Sequence, residues 1–314
     1  MKNFWADKKI LLTGGSGFFG DHLLKELKTR GAINILVPRS KELDLRVREN
    51  CQKAVKGKDI VIHMAGIVGG IGFNRENPAT LFYDNLLMGI SLMEEARRAN
   101  VKKFVSIGTV CSYPKFAPIP FKENDFWNGY PEETNAPYGL AKKMLLVQGQ
   151  AYRAQYGFNA IYLIPVNLYG PGDKIDPQKS HVIPALIKKI LDAKKSDKDH
   201  IVVWGTGKAT REFLYVEDGA EAVALACEKY NRGEAVNLGA SFEISIKDLV
   251  QLICKLANFK GKIIWDKSKP DGQPRRKLSV SRAKKEFGFM AKTNFEEGLK
   301  KTIDWYRKTY WNSL

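Results

Sequence analysis

The sequence predicts a doubly wound parallel α/β sheet with a smaller C-terminal α/β lobe, on three observations. Short β-branched runs alternate with helical patterns through the first half of the chain, which is the mark of βαβ units. The first run ends in a spaced glycine triplet that opens a helix, as in a Rossmann-type sheet. Beyond Tyr169 the alternation gives way to loops and shorter mixed elements. Residues 1–168 are therefore expected to form a nucleotide-binding domain, completed by parts of 213–240, and residues 169–314 mainly a second lobe.

The elements follow in order. KILLTGG from Lys9, INILVP from Ile33, DIVIHMAG from Asp59, KKFVSIGT from Lys102 and AIYLIPVNLYG from Ala160 are short, apolar and β-branched, so they read as sheet strands. The first helix is expected over Asp21–Thr29. Between the third and fourth strands, Asn77-Pro78 opens a helix to Asn100 with Leu81, Met88, Leu92 and Ala96 on one stripe. Thr134 and Asn135 precede a helix starting near Pro137 and running to about Tyr156. A helix over 182–194 and a strand IVVWG open the lobe.

The chain of 314 residues buries a core without staples. Cys51, Cys111, Cys227 and Cys254 are scattered, with no CxxC pair and no histidine cluster, so reduced thiols in a cytoplasmic protein are expected and no metal site. The first apolar run, from Ile10, leads into a glycine loop and reads as a strand rather than a signal peptide. No apolar stretch is long enough to span a bilayer. The net charge of +17 is spread along the chain without a nucleic-acid motif, so neither nucleic acid nor membrane is an expected partner.

The loop Gly14-Gly15-Ser16-Gly17-Phe18-Phe19-Gly20 lies between strand and helix. Glycines let the backbone approach a pyrophosphate, and the helix N-terminus supplies amide donors. At the end of the second strand, where an acidic residue would hold a ribose 2′-hydroxyl, this chain has Arg39 and Lys41. They suit a 2′-phosphate and so NADP. Tyr138 and Lys142 form a YxxxK pair on one helical face, where an ammonium is expected to lower the phenol's pKa toward neutrality. Thr109, at the fourth strand's end, adds a hydroxyl suited to a carbonyl, and Cys111 a thiol suited to moving a proton. Pro165 and Asn167, at the fifth strand's end, lie where such sheets bind cofactor.

Together GGSGFFG, GTVCSYP and YGLAK resemble the extended short-chain dehydrogenase/reductases that act on nucleotide sugars. HMAGIVGGIGFN (63–74), ETNAPYGLAKK, PVNLYGPGD (165–173), SHVIPALIKKI (180–190), VWGTGKATREFLYVED (203–218) and WDKSKPDGQPRRKLSVSR (265–282) narrow the resemblance. They are similar to the GDP-L-fucose synthases, the 3,5-epimerase-4-reductases of GDP-4-keto-6-deoxy-D-mannose, over nearly the whole chain. The resemblance implies that Cys111 and His181 exchange protons on carbons 3 and 5, and that Tyr138 with Lys142 serves reduction of the 4-ketone by NADPH. It further implies cofactor contacts at Ile107, Gly108, Lys142, Leu168 and His181, and substrate contacts at Lys189, Trp204, Arg211, Asp271 and Arg276. The helices 77–100 and 138–156 resemble the pair that forms a homodimer's four-helix interface.

Two positions depart from the resemblance. Thr109 stands where serine is frequent, and Lys189 where arginine is frequent. They keep open a sibling activity on another GDP-4-keto sugar, a heptose or a dideoxy-hexose. A 4,6-dehydratase wants an acid beside the strand-4 hydroxyl, where Val110 and Cys111 stand. A non-catalytic NADP-binding regulator would have no use for the intact Thr109, Tyr138 and Lys142 set.

Overall fold

The computed structural model describes residues 3–176, 180–269 and 271–311. The first half runs β1 (Lys9–Thr13), α1 (Phe18–Thr29), β2 (Asn34–Leu36), α2 (Arg48–Val55), β3 (Ile60–His63), α3 (Ile71–Glu76), α4 (Pro78–Arg98) and β4 (Lys103–Ile107). After a 3-10 turn at Val110–Ser112 come α5 (Ala136–Tyr156), β5 (Ala160–Pro165) and β6 (Asn167–Tyr169). The second half runs α6 (Val182–Lys195), β7 (His200–Trp204), β8 (Thr210–Arg211), β9 (Phe213–Tyr215), α7 (Val216–Lys229) and β10 (Ala235–Leu238). It ends with β11 (Ile244–Ser245), α8 (Ile246–Ala257), β12 (Lys262–Asp266), β13 (Arg275–Arg276), α9 (Ser281–Phe287) and α10 (Phe295–Tyr306).

Six parallel strands form the main sheet in the order β10-β5-β4-β3-β1-β2. The chain leaves β1 toward one edge and returns at β3 on its other side, so the switch point lies between β1 and β3. A crevice at the carboxyl ends of these strands is the topological place for a ligand. Strands β3, β4 and β5 are buried on both faces, which is why they read as continuous apolar runs rather than alternating ones.

Two apolar cores result. The larger holds the sheet, its flanking helices and Ala220–Tyr230 of the second half, with Leu278, Phe287 and Phe289 added from near the C-terminus. The smaller packs α6, α8 and α10 against β7, around Ile187, Ile190, Ile253 and Ile303. The second half is therefore interleaved, with β10 serving as an edge of the main sheet and α7 covering it. Helix α1 opens at Phe18, three residues before the start the sequence suggested. The cause is that Gly17 takes the cap position and Gly20 is already helical.

Candidate active site

One cleft of about 2160 Å³ runs along the carboxyl ends of the sheet and between the sheet and the lobe. Its first wall is the glycine loop. Gly14 has φ +73°, and a Cβ there would meet the Ala65 nitrogen at 2.8 Å. A Cβ on Gly20 would lie 2.1 Å from the Gly14 carbonyl oxygen. The loop is thus compressed to backbone, which leaves the first amides of α1 open to an anionic group. Ser16, Gly17, Phe18 and Phe19 line the cleft, whereas Gly15 is buried and turned toward Val37 and Leu12. A dinucleotide fits this cradle.

The neighbouring loop is fixed from below. Thr13 Oγ1 accepts from the Ala65 N–H at 3.2 Å and lies 2.9 Å from His63 Nδ1. Asn85, a polar residue in the apolar stripe of α4, accepts from the Ile67 N–H at 2.9 Å and donates back to the Ile67 carbonyl at 2.9 Å. Pro38 and Ser40 line the cleft at the end of β2, with Arg39 and Lys41 exposed beside them rather than in its wall. Ile107, Gly108, Pro165, Asn167 and Leu168 all line it.

Thr109, Cys111, Tyr138 and His181 line the same cleft. Thr109 caps the 3-10 turn, its Oγ1 accepting from the Cys111 N–H at 3.2 Å, so its hydroxyl proton is free to donate elsewhere. Helix α5 is anchored under this turn. Ser112 Oγ donates to the Gly139 carbonyl at 2.7 Å, and the Tyr162 hydroxyl donates to the Lys142 carbonyl at 3.1 Å. Gly139 is obligatory in this packing, because a Cβ would come within 2.6 Å of the Cys111 carbonyl oxygen.

Lys142 is buried behind the cleft wall, its Nζ 3.5 Å from the Ala65 carbonyl oxygen. Burial pushes its ammonium down to about 8. The Tyr138 hydroxyl moves the other way: burial raises it above the ordinary phenol value, and the Cys111 sulfur adds to the rise. This corrects the sequence expectation of a phenol lowered toward neutrality by Lys142, because desolvation dominates at both groups.

His181 caps the start of α6, with Nδ1 3.3 Å from Oδ2 of buried Asp173, and that bond raises its pKa above 6.5. Asp173 was not singled out from the sequence. It closes the phrase PVNLYGPGD, and a lone acid after a Gly-Pro-Gly turn gives no sign that it will meet a histidine eight positions later.

On the lobe side, Lys189, Trp204, Arg211, Asp271 and Arg276 line the cleft. Trp204 is 66% exposed, so it is no part of the lobe core. Arg211 donates to the Thr210 carbonyl at 2.7 Å, and burial, with Arg276 beside it, lowers its pKa to about 10. Arg276 donates to Gln273 Oε1 through two nitrogens at 3.2 and 3.1 Å, and its Nη1 lies 3.7 Å from Cys111 Sγ. Lys189 donates to the Val202 carbonyl at 2.6 Å. The Asp271 carboxylate is engaged by the Thr206 N–H and hydroxyl, both at 2.6 Å, which closes the Gly205–Gly207 turn. That bond is the first cause of its lowered pKa.

Comparison with known proteins matches residues 10–239 to the NAD dependent epimerase/dehydratase family. The rice protein named probable GDP-L-fucose synthase 1 is 40% identical over 97% of this chain and 94% of its own length. A crystal structure of a GDP-L-fucose synthetase from Naegleria fowleri bound to NADP superposes with a TM-score of 0.87, at 30% identity over 97% of this chain and 95% of that one. The GDP-6-OMe-4-keto-L-xylo-heptose reductase of C. jejuni superposes with a TM-score of 0.89, at 26% identity over 96% and 98% of the two chains. The chain belongs to the NAD-dependent epimerase/dehydratase family.

Proposed function

We propose that this protein is an NADPH-dependent epimerase-reductase that converts GDP-4-keto-6-deoxy-D-mannose to GDP-L-fucose. The observation that carries the reading is the meeting of two chemistries in one cleft: the Cys111 thiol and the Thr109 and Tyr138 hydroxyls face the same space as Arg211 and Arg276. The glycine loop and the ends of β3, β4 and β5 would hold NADPH, which supplies the hydride for the 4-keto carbon. Arg39 and Lys41 would take its 2′-phosphate.

The residues divide the remaining work. Arg211 and Arg276 suit the diphosphate, since guanidinium donors match its oxygens in pairs. Lys189 adds charge, and exposed Trp204 offers a face for stacking. The 4-ketone acidifies the protons on carbons 3 and 5, which Cys111 and His181 remove and return on opposite faces. Thr109 donates to the ketone oxygen. Tyr138, whose phenol carries its proton at neutral pH, delivers the proton that this oxygen needs on reduction, and Lys142 supports it from behind. The working form in this reading is a cytoplasmic homodimer, consistent with four free cysteines and apolar residues exposed on α4 and α5.

A second reading is favoured by Thr109, Lys189 and the likeness to the heptose reductase: reduction or epimerisation of another GDP-4-keto sugar, a heptose or a dideoxy-hexose. The test is oxidation of NADPH, with NADH in parallel, by a panel of GDP-4-keto sugars. The fastest turnover is expected with the 6-deoxy-mannose derivative and NADPH. Faster turnover of a heptose derivative would install the second reading, and no turnover of any would overturn both.

A further inference from the structure

Glu212 is fully buried and has no part in the chemistry above. It stands between β8 and β9, directly after Arg211. Its carboxylate meets backbone only. Oε1 accepts from the Ala240 N–H at 2.7 Å and the Ser241 N–H at 2.8 Å, and Oε2 accepts from the Leu278 N–H at 2.6 Å. A carboxylate removed from water needs such donors, because an unpaired one is very costly to bury. Space for it is left by Gly239, where a Cβ would lie 2.5 Å from Oε1.

The backbone of Glu212 is tied as well. Its N–H donates to the Arg276 carbonyl at 3.1 Å, and its own carbonyl accepts from Asn167 Nδ2 at 3.1 Å. One residue thus joins β6, the loop after β10 and the segment 276–278. Arg276 is held on both sides, through its own carbonyl and through the N–H two residues on. The two guanidiniums repel each other, and Arg276 helps to lower the pKa of Arg211. The charge of Asp271 partly offsets this at Arg211, whose guanidinium also donates to the Asp271 carbonyl at 3.3 Å. Both arginines line the cleft, and the backbone bonds of Glu212 tie the segment of one to the segment of the other.

We infer that Glu212 is a positioning residue whose buried carboxylate sets the spacing of Arg211 and Arg276 for the diphosphate of the nucleotide sugar. This rests on the reading that those arginines bind it. Glu212→Gln keeps the size and one acceptor but turns an N–H2 group toward the Leu278 N–H. The measurements are calorimetric affinity for GDP, fluorescence titration of NADPH, and KM and kcat for the keto sugar, with Arg211→Met as reference. Glu212→Gln should weaken GDP binding and raise KM about ten- to hundredfold, the effect of a displaced guanidinium losing one charged hydrogen bond to the diphosphate. NADPH affinity and kcat should stay within about twofold of the unaltered protein.

If the unaltered protein binds no GDP, or Arg211→Met binds it equally well, the underlying diphosphate reading fails. If Arg211→Met loses GDP while Glu212→Gln binds it normally, or Glu212→Gln loses NADPH and GDP alike, the positioning role is overturned. Should Glu212→Gln not fold, Gly239→Ala tests the same contact by displacing Oε1 without altering the acid. A selective loss of GDP affinity there supports the role, and unchanged affinity overturns it.

Discussion

Lys142 shows how burial acts on a single residue of the site. Its pKa falls from 10.5 to about 8, so the folded state disfavours its charge. The sign follows from proton counting. Between about pH 8 and 10.5 the unfolded chain holds the extra proton, so stability rises with pH across that window. Below it, the buried charge is a standing destabilisation of about 3 kcal/mol. Lys142→Met should therefore be more stable than the unaltered protein at pH 7 by up to about 3 kcal/mol in urea denaturation, while reducing its substrate poorly. His181 has the opposite sign. Asp173 raises its pKa above 6.5, so the stability from their pair is complete below about that pH and is lost as pH rises through the raised value. Asp173→Asn should lower the His181 midpoint in an NMR titration, and an unmoved midpoint would dissolve the pair. The placing of Tyr138 and Lys142 on one helix face was legible from their spacing, whereas Cys111 was marked by its place beside Thr109 and by the resemblance. The Tyr138 shift was misread because one helix face says nothing about how much of the sheet covers it.

The elements were more legible than their joints. All the expected strands of the first half are present, since runs such as DIVIHMAG carry the composition of strands buried on both faces. The helix over 182–194 and the strand IVVWG are present as α6 and β7. What the sequence concealed is how late segments return. Leu278, Phe287 and Phe289 join the first core, and Glu212 ties three segments whose contacts have no local signal. Within the first βα unit the limits are steric. Gly20→Ala would drive a Cβ to 2.1 Å from the Gly14 carbonyl oxygen, with backbone on the other side of the contact. It should cost about 1–3 kcal/mol by overpacking and weaken NADPH binding at the same time. Urea denaturation with and without NADPH checks both, and a fully stable, NADPH-binding variant would contradict the packing.

At the scale of the whole molecule, among the described residues no helix is long and apolar enough to cross a membrane. Helices α4 and α5 pack together and expose Phe82, Tyr83, Val147 and Tyr156. If these faces meet in a second copy, light scattering should report a dimer that Tyr83→Glu breaks, and a monomer at micromolar concentration would refute it. In the proposed reaction one cleft divides two chemistries, proton exchange at Cys111 and reduction at Tyr138. The most direct measurement is mass-spectrometric and NMR detection of deuterium at carbons 3 and 5 of GDP-4-keto-6-deoxy-mannose in deuterated water. Tyr138→Phe should keep the exchange while NADPH oxidation falls by about 10²–10⁴-fold. Cys111→Ser should lose the exchange, because a serine hydroxyl is hardly ever deprotonated near neutrality. Undiminished deuterium in Cys111→Ser would rule out proton exchange by Cys111.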